Sequence, residues 1–478
     1  MSRILIFYPD KLVKKHYHKN KDIIFFNNDG WSIFNDDKRY SYPINQINVE
    51  KSLSINIQLI DEIRTWGPLF SRMLSKGDQQ ELILRKIMLL IERVIKDLRK
   101  YKIGDVIFMT GASHHIDSMI FDLACSHLRI DKIFLYREVI DGRLVPLLQP
   151  NNISSRSFLN LKISAFKYEN SIKQFLNNKI MGKTPLSNDH IPLRKNIIKA
   201  ILITLFNDFK FILKNFKNFA FTKKRLDFDF IYQTYPFYQC IQLTQAFQAN
   251  RFYKKNVMDS KYFLKNYGNK NSKNIALIIA AHLQPEATSF PEGGKYSNHV
   301  DIVISIRNKG YKGPIFYKEH SASFHYLQDR DHIGTGIFRS VDYYKELLSL
   351  GCIFLDEDFH FSINKNKNKF YVPITIGGSL ALERSLAGFQ TIVCGYPWYH
   401  PLPGTILLDK IKSLKSISKN MSAQSNKLQK DTFNYLKSNL SEKTIYNNSG
   451  IGASKIELDK NIQENYINEF NNLINSIK

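Results

Sequence analysis

The chain contains 478 residues, a length that favours two or three domains over one. Hydrophobic residues make up 43% of it and charged residues 23%, which excludes a disordered chain, a collagen-like fibre and a disulfide-dense scaffold. Lys and Arg outnumber Asp and Glu by 68 to 43, and the net charge of +25 favours anionic partners: nucleic acid, an acidic membrane surface, or phosphorylated or acidic small molecules.

The first residues, MSRILIFYPD, predict a β-strand at 4–8, because the apolar stretch is too short for a signal-peptide core. No stretch approaches the ~20 apolar residues that span a bilayer. The four cysteines, at positions 125, 240, 352 and 394, are far apart and lack the spacing of metal ligands. We expect four buried thiols in a cytoplasmic protein.

Strand-like and helix-like segments alternate along the first 150 residues. Short apolar runs predict the strands, and apolar residues at steps of three and four predict the helices. The predicted strands are 4–8, 23–26, 105–109 and 132–136, and the predicted helices are 78–100 and 116–128. Such alternation predicts a parallel α/β layer.

Residues 194–225 contain nine Lys or Arg residues and one acidic residue, Asp208, with apolar residues at steps of three and four between Ile197 and Phe219. This pattern predicts a basic amphipathic helix or helix pair. The helix can dock on an anionic membrane surface, or it can pack on the domain with its lysines in solvent, and the sequence leaves both interpretations open.

A second α/β unit begins near residue 272. The predicted strands are 274–281, 314–318, 352–355, 371–376 and 391–394, and the predicted helices are 300–308, 341–350, 380–386 and 461–477. We predict an N-terminal domain of residues 1–265 with a basic helical insertion near 151–225, a C-terminal domain of residues 266–420, and a tail of residues 421–478 that packs back on the body.

The turn Gly377-Gly378-Ser379 lies between a predicted strand and a predicted helix. Glycine lets the backbone approach a ligand, and free N–H groups at a helix N-terminus bind phosphate. Ser379 is at the capping position, and Glu383, one turn further on the same face, can accept hydrogen bonds from ribose hydroxyls. The same spacing fits an ordinary strand–helix turn with a capping serine.

Two further strand ends carry polar residues. Lys318 and His320 end the predicted strand 314–318 on the same side of the chain, so both can donate to a phosphate. His282 and Glu286 follow the predicted strand 274–281, and a carboxylate there can act as general base or nucleophile. Because ligands of open α/β sheets bind beyond the carboxyl ends of strands, the three strand ends predict one cleft-lining cluster. A structural role for a lone histidine at a strand end stays open.

The N-terminal unit offers three more candidates at strand ends. His115 and Asp117 follow the predicted strand 105–109, and Glu138 follows the predicted strand 132–136, so these side chains can face the same cleft from the other side. The neighbouring histidines at 114 and 115 suggest a metal site, but a metal needs three or four ligands and the sequence shows no third. We predict no metal.

Residues 282–296, 317–320 and 375–399 resemble the bacterial capsule polysaccharide biosynthesis family, which includes transferases of Kdo and of other ulosonic acids. Its members typically carry a Q-P-E block, a K-E-H-P block and a Gly/Ser turn before an E-x-x-x-x-G helix. The matching residues here are Gln284-Pro285-Glu286, Lys318-Glu319-His320, Gly377-Gly378-Ser379, Glu383 and Gly388. The likeness covers residues 275–400, and a fainter one covers 115–143. Ser321 departs from the usual proline, and the turn has two glycines where a second hydroxyl is common.

The resemblance implies a GT-B glycosyltransferase, in which two Rossmann-like domains face a cleft and the C-terminal one holds most of the nucleotide. It implies a CMP-activated donor of Kdo, pseudaminic or sialic type, a capsule oligosaccharide or lipid-linked acceptor, and neither metal nor further cofactor. The expected location of such a protein is the cytoplasm, with possible peripheral binding to the inner face of the inner membrane. The residues that the resemblance assigns are Glu286, as base or covalent nucleophile, His320 and Lys318 on the phosphate with the turn Gly377, Gly378 and Ser379, and Glu383 on the ribose.

Other functions stay open at this point. The chain can be a GT-B transferase of a UDP- or other NDP-sugar, or a non-catalytic factor of capsule assembly or export built on the same fold. Nucleic-acid binding is disfavoured, because the sequence lacks a recognition motif and an aromatic RNA-binding platform.

Overall fold

The computed structural model describes two α/β units, each built on a sheet with parallel central strands. The residues it describes are 2–27, 30–33, 36–40, 80–109, 116–136, 145–150, 155–159, 198, 201–202, 205–206, 238–258, 275–282, 292–324, 339–356, 359, 361, 371–415, 421, 423–439 and 460–477.

The first unit contains an eight-stranded sheet of order β4-β3-β2-β1-β5-β6-β7-β8. Its strands are β1 (Arg3–Phe7), β2 (Ile23–Asn27), β3 (Gly30–Ile33), β4 (Asp36–Tyr40), β5 (Ile103–Phe108), β6 (Asp131–Tyr136), β7 (Val145–Gln149) and β8 (Ser157–Phe158). Its helices are α1 (Lys11–Tyr17), α2 (Gln80–Lys100) and α3 (Ile116–Leu128). Strands β2, β1, β5 and β6 are parallel, and the pairs beyond them are antiparallel.

Helices cover both faces of this sheet, which explains why residues 4–7 of β1 are all apolar and buried. Leu5 and Phe7 point to one face, where they join the core formed with α2 and α3. Ile4 and Ile6 point to the other face and pack with Val13 of α1. The alternation follows from the two-residue period of a strand.

The second unit contains a seven-stranded sheet of order β15-β14-β13-β10-β11-β12-β9, in which each pairing is parallel. Its strands are β9 (Val257–Met258), β10 (Ala276–Ala280), β11 (Ile315–Lys318), β12 (Cys352–Leu355), β13 (Tyr371–Thr375), β14 (Thr391–Val393) and β15 (Thr405–Leu407). Its helices are α4 (Tyr238–Lys255), α5 (His299–Asn308), α6 (Val341–Ser349) and α7 (Leu380–Leu386).

Two further helices, α8 (Asn426–Asn439) and α9 (Lys460–Ile477), end the chain. Helix α8 lies beside α7, where the Gln429 side-chain amide donates to the Leu386 carbonyl at 3.0 Å. Helix α9 packs on the same face of the first sheet as α1, and its Tyr466 hydroxyl donates to Asp10. The last part of the chain therefore contacts both units.

A buried ion pair links the two units. Arg156, beside β8, places Nη1 2.9 Å from Oε1 of Glu292, and both side chains are 1% exposed. Next to this pair, the rings of Phe158 and Trp398 meet edge to face with centroids 6.2 Å apart. The ion pair joins the first sheet to the segment just before α5, and the aromatic pair joins it to the segment after β14.

The predicted fold class, α/β with two Rossmann-like domains, is confirmed by these sheets. The predicted strands and helices match observed ones with ends within two residues. The domain boundary differs from the prediction at 265, because β9 pairs with β12 and Tyr253 of α4 lies in the core of the second unit. Residues 238–258 thus belong to the C-terminal unit. Helix α8 also went unpredicted in the polar stretch after residue 420.

Most of the predicted basic insertion lies outside the described residues, and the described positions 198, 201–202 and 205–206 are helical. Cys125, Cys352 and Cys394 are buried free thiols, as predicted, and the side chain of Cys240 lies outside the described part. Among the described helices, none is both long and apolar enough to cross a membrane.

Candidate functional site

Three adjacent parallel strands of the second sheet place the predicted residues at one edge. Strand β10 lies between β13 and β11, so the carboxyl ends of all three point the same way. From β10 the chain continues to β11 and β12 on one side, and then returns to β13 on the other. The boundary between β10 and β13 is therefore a topological switch point, where open α/β sheets bind ligands.

His282 contacts the glycine turn directly across this switch point. Its Nε2 accepts the backbone N–H of Gly377 at 3.1 Å and lies 3.4 Å from the Thr375 hydroxyl. A Cβ on Gly378 would lie 2.9 Å from the same nitrogen, so only glycine leaves room for the imidazole there. The Tyr399 hydroxyl donates to the Gly378 carbonyl and holds the turn from its other side.

The imidazole of His282 is neutral. Burial lowers its pKa to about 3, and the nearby charges of His320 and Arg339 act in the same direction, against Glu319. Because Nε2 accepts the Gly377 N–H, the proton of the neutral ring is on Nδ1. Nδ1 is buried and makes no hydrogen bond within the described residues. His282, predicted only as a cleft residue, thus fixes the shape of the turn.

Two contacts of the turn bear on the predicted phosphate site. Free N–H groups at the start of α7 were predicted to bind phosphate, and the N–H of Gly377 is not free, because it donates to His282. Ser379 was predicted to cap α7 with its hydroxyl, yet it makes no capping hydrogen bond. The reason is its helical backbone (φ −59°, ψ −16°), whereas a capping residue is extended. Its exposed hydroxyl caps nothing.

Glu383 lies in the first turn of α7 and is half-buried, as its predicted place one turn after Ser379 requires. The backbone N–H of Glu383 donates to the Ser379 carbonyl at 2.9 Å, which fixes the spacing of the two residues. Burial raises the pKa of Tyr399, and the charges of Glu292 and Glu383 raise it further. Glu383 therefore interacts electrostatically with the tyrosine that holds the turn.

Lys318 and His320 lie at and just beyond the end of β11, both half-buried. Burial lowers the pKa of His320 below its ordinary value, Lys318 and Arg339 lower it further, and Glu319 opposes them. The imidazole of His320 is therefore neutral near pH 7 in the protein without a bound ligand. A bound phosphate would favour its protonated form.

Glu319, between them, is fully buried and is the centre of a hydrogen-bond network that the sequence analysis missed. Oε1 accepts from the His320 backbone N–H (2.7 Å), the Ser323 hydroxyl (3.2 Å) and Nη2 of Arg339 (3.4 Å). Oε2 accepts from Nε of Arg339 (2.5 Å) and from the hydroxyls of Tyr344 (2.9 Å) and Tyr317 (3.0 Å). We call Glu319 and these partners the Glu319 network.

Arg339 is the other charged residue of the Glu319 network and is also buried. Besides contacting Glu319, its Nη2 donates to the His282 carbonyl at 2.9 Å, and its guanidinium lies 5.0 Å from the centre of the Tyr343 ring. Burial alone raises the pKa of Glu319, but the charge and hydrogen bonds of Arg339 outweigh it and the pKa is lowered. The carboxylate is ionised at neutral pH.

The structure thus places His282 against Gly377 and Gly378. His320 lies at the neighbouring strand end, and the Glu319 network connects it to His282. Lys318, Ser379 and Glu383 lie at the same strand ends or in the helix that follows the turn. Other predicted residues, Glu286, His115 and Glu138, lie outside the described residues, as does the side chain of Asp117. In the part of the chain that the structure describes, no group of three or more His, Cys, Asp or Glu side chains is placed to hold a metal.

No protein-family model and no curated protein matches the sequence. Among solved structures, the chain is similar to Thermosulfurimonas dismutans KpsC, a beta Kdo 2,7 transferase, with 9% identity, 88% of this chain and 89% of that chain covered, and a TM-score of 0.26. It is similar to Methanocaldococcus jannaschii UDP-GlcNAc 2-epimerase at 13% identity, 98% and 99% coverage and a TM-score of 0.20. A trehalose-6-phosphate synthase gives 10% identity, 98% and 99% coverage and a TM-score of 0.26. Similarities this weak carry no argument about activity.

Proposed function

We propose that the chain is a glycosyltransferase that moves a ulosonic acid, of the Kdo, pseudaminic or sialic type, from a CMP-activated donor to an oligosaccharide or lipid-linked glycan. The observation that carries the proposal is the placement of His282, His320 and the Gly377 turn at the carboxyl ends of three adjacent strands, β10, β11 and β13, beside the switch point. Nucleotides bind at this place in open α/β sheets. The same residues belong to the sequence blocks that resemble the capsule family.

The donor carries a phosphate and a carboxylate, and the basic chain attracts both. In the proposed complex Lys318 and His320 donate to the phosphate, and the Ser379 hydroxyl, which caps no backbone group, donates to it as well. Glu383 accepts hydrogen bonds from the ribose hydroxyls. These fixed donors stabilise the negative charge that develops on the leaving phosphate.

In the proposed reaction, the bond between the anomeric carbon and the phosphate oxygen breaks, and CMP leaves with the bonding electrons. The transition state resembles an oxocarbenium ion, which a carboxylate stabilises or attacks. Glu286 supplies this carboxylate. As a base it takes the proton of the attacking acceptor hydroxyl, and as a nucleophile it forms a glycosyl-enzyme that the acceptor then displaces. Inversion or retention at the anomeric carbon separates the two routes. The reaction uses no metal, so EDTA should leave the rate unchanged.

A thermal-shift series with CMP, CDP, UMP, UDP and GDP tests the donor class. CMP and CDP should raise the melting temperature, because a ligand that binds only the folded state stabilises it. His320→Ala should remove most of the CMP shift. A shift with UDP or GDP alone would instead assign an NDP-hexose donor. No shift with any nucleotide, in a protein shown to be folded, would contradict the proposal and favour a non-catalytic assembly or export factor.

Glu286→Ala separates the enzyme from the assembly factor. An enzyme should lose turnover and retain CMP binding, since the carboxylate acts on the sugar rather than on the nucleotide. An assembly factor should complement a deletion strain equally well with and without the carboxylate. Full transfer activity in Glu286→Ala would contradict the assigned catalytic role.

We also propose that the enzyme binds peripherally to an anionic membrane surface at the inner face of the inner membrane. Ile198, Leu202 and Phe206 follow one another at steps of four, and each is helical. They are 67%, 61% and 66% exposed, and residues 194–225 are strongly basic in sequence. Apolar residues flanked by Lys and Arg are typical of interfacial helices.

Liposome sedimentation at low salt tests this surface. Vesicles with phosphatidylglycerol should bind the protein and pure phosphatidylcholine vesicles should not. A variant with Ile198, Leu202 and Phe206 changed to serine should lose most of the binding. A matched variant with the exposed residues Phe247 and Ile304 changed to serine should keep it. Equal binding to both vesicle types, or none to either, would contradict the proposal.

A further inference from the structure

The carboxylate of Glu319 has no capacity left for chemistry. Six donors contact its two oxygens, and the side chain is fully buried. A carboxylate has about four lone-pair positions, so each oxygen of Glu319 is saturated. A base or nucleophile needs a free lone pair aimed at substrate. The role of Glu319 must therefore lie in what it holds.

The Glu319 network connects the ends of β11 and β10. On the β11 side, Oε1 of Glu319 accepts the backbone N–H of His320 at 2.7 Å. On the β10 side, Arg339 donates to Glu319 through Nε and to the His282 carbonyl through Nη2. One planar guanidinium thus fixes two strand ends relative to each other, which a single ammonium point charge cannot do in the same geometry.

His282 extends the connection to β13. Its backbone carbonyl is held by Arg339, and its ring accepts the N–H of Gly377. A continuous chain of hydrogen bonds therefore runs from the His320 amide through Glu319, Arg339 and His282 to the turn after β13. Along this chain, Arg339 is linked to the His320 amide through Glu319 and to the Gly377 amide through His282.

A buried ion pair is weak evidence of a stabilising role, because well-packed apolar residues of the same size are often as stable. Its directional hydrogen bonds, in contrast, fix geometry. We propose that Arg339 and Glu319 are positioning residues that hold His320 and, through His282, the Gly377 turn in the arrangement that binds the donor. What the arrangement binds rests on the proposed function, whereas the mechanical coupling of the three strand ends does not.

Amide hydrogen exchange, followed by mass spectrometry on peptides that contain His320 or Gly377, tests the coupling without any ligand. Arg339→Lys should speed exchange at both amides by about tenfold or more, since lysine cannot bridge Glu319 and the His282 carbonyl. Arg307→Lys is the matched control, because Nη1 of Arg307 also bridges two carbonyls, those of Tyr311 and Gly313, in the same unit. The control should leave both amides unchanged.

A milder variant covers the case in which Arg339→Lys does not fold. Tyr344→Phe removes one donor to Oε2 of Glu319 and keeps the ring, so exchange at His320 should rise several-fold. If Arg339→Lys folds, an unchanged exchange rate at the Gly377 amide would overturn the positioning role. If it does not fold, an unchanged exchange rate at the His320 amide in Tyr344→Phe would overturn it. Exchange that is faster by the same factor in the control Arg307→Lys would also overturn it.

Nucleotide binding then separates this inference from the proposed function. If the wild-type protein binds CMP, Arg339→Lys should weaken binding by about tenfold while Arg307→Lys does not. CMP affinity unchanged by Arg339→Lys, despite faster exchange at Gly377, would overturn the link to the donor. If the wild-type protein binds no nucleotide and the exchange coupling is present, the coupling stands and the proposed function fails.

Discussion

Replacing Arg156 with methionine tests the ion pair that joins the two units. The guanidinium lies 2.9 Å from Glu292, with both side chains 1% exposed, and its Nε donates to the Gln149 side chain at 2.6 Å. The variant keeps the buried carboxylate of Glu292 and removes its positive partner. Breaking a buried pair in this way costs about 3–5 kcal/mol, so we expect that loss in the free energy of unfolding at pH 8.

The loss should depend on pH with a defined sign. Burial raises the pKa of Glu292 well above its ordinary value. Removing the positive charge of Arg156, 2.9 Å away, should raise this pKa further in the variant. The folded variant then binds more protons than the unfolded chain. Its stability is greatest below the unfolded pKa near 4.5 and falls as pH rises toward the raised pKa, by up to about 1.4 kcal/mol per unit. The variant should therefore be less destabilised at pH 5.5 than at pH 8.

The double variant Arg156→Met with Glu292→Met completes the cycle. Removing both charges should restore stability to within about 1 kcal/mol of wild type or exceed it, because no buried charge is left alone. Urea midpoints at both pH values provide the measurement, and Arg251→Met, at an exposed position of α4, should change stability by less than about 0.5 kcal/mol. A double variant that loses the sum of the single losses, or an Arg156→Met variant as stable as wild type at pH 8, would refute the reasoning.

Four further predictions concern the candidate site. Gly378→Ala places a Cβ 2.9 Å from Nε2 of His282, so unfolding free energy should drop by about 1–3 kcal/mol and CMP affinity should fall, and a variant with neither change would show that the contact is not tight. His320→Ala should weaken donor binding by about 1.5–3 kcal/mol, and an unchanged donor affinity would exclude the phosphate contact. Because burial lowers the pKa of free His320 and a bound phosphate raises it, calorimetry should show more proton uptake on CMP binding in wild type than in His320→Ala. The CMP affinity of wild type should also fall more steeply with rising pH than that of the variant. Ser379→Ala should not change the melting temperature, since the hydroxyl caps nothing, and a loss of CMP affinity in this variant would place the hydroxyl on the ligand.

The fold could be predicted because its signals are local. Strands such as β1 and β10 are short apolar runs buried on both faces, and α3, α7 and β12 begin and end where the pattern indicates. Strand β9 gave no such signal, because a strand of two residues is too short for a pattern and is defined by its pairing with β12. The error in the domain boundary follows from that contact, which the residues near 257 do not reveal.

The shared sheet edge of the candidate residues could also be predicted, while the contacts of several of them could not. Strands β10, β11 and β13 are adjacent and parallel, so the residues that follow them, His282, His320 and Gly377, lie at one edge of the sheet. Ser379 was given a capping role from its place before α7, but the role depends on backbone angles that the residue type does not fix. The backbone N–H of Gly377 donates to the ring of His282, which lies 95 residues away in sequence, so no local pattern could predict this hydrogen bond.

Glu319 and Arg339 show why the rest of the site could not be read from the sequence. Glu319 lies inside the block Lys318-Glu319-His320, yet its neighbours in sequence do not reveal what its side chain contacts. Its partners come from β11, the turn that follows it, α6 and Arg339, and only the folded sheet brings them together. A carboxylate buried among six donors and a carboxylate poised for catalysis have the same letter in the sequence. They differ in how many lone pairs remain free, and this difference separates the positioning role of Glu319 from the catalytic role proposed for Glu286.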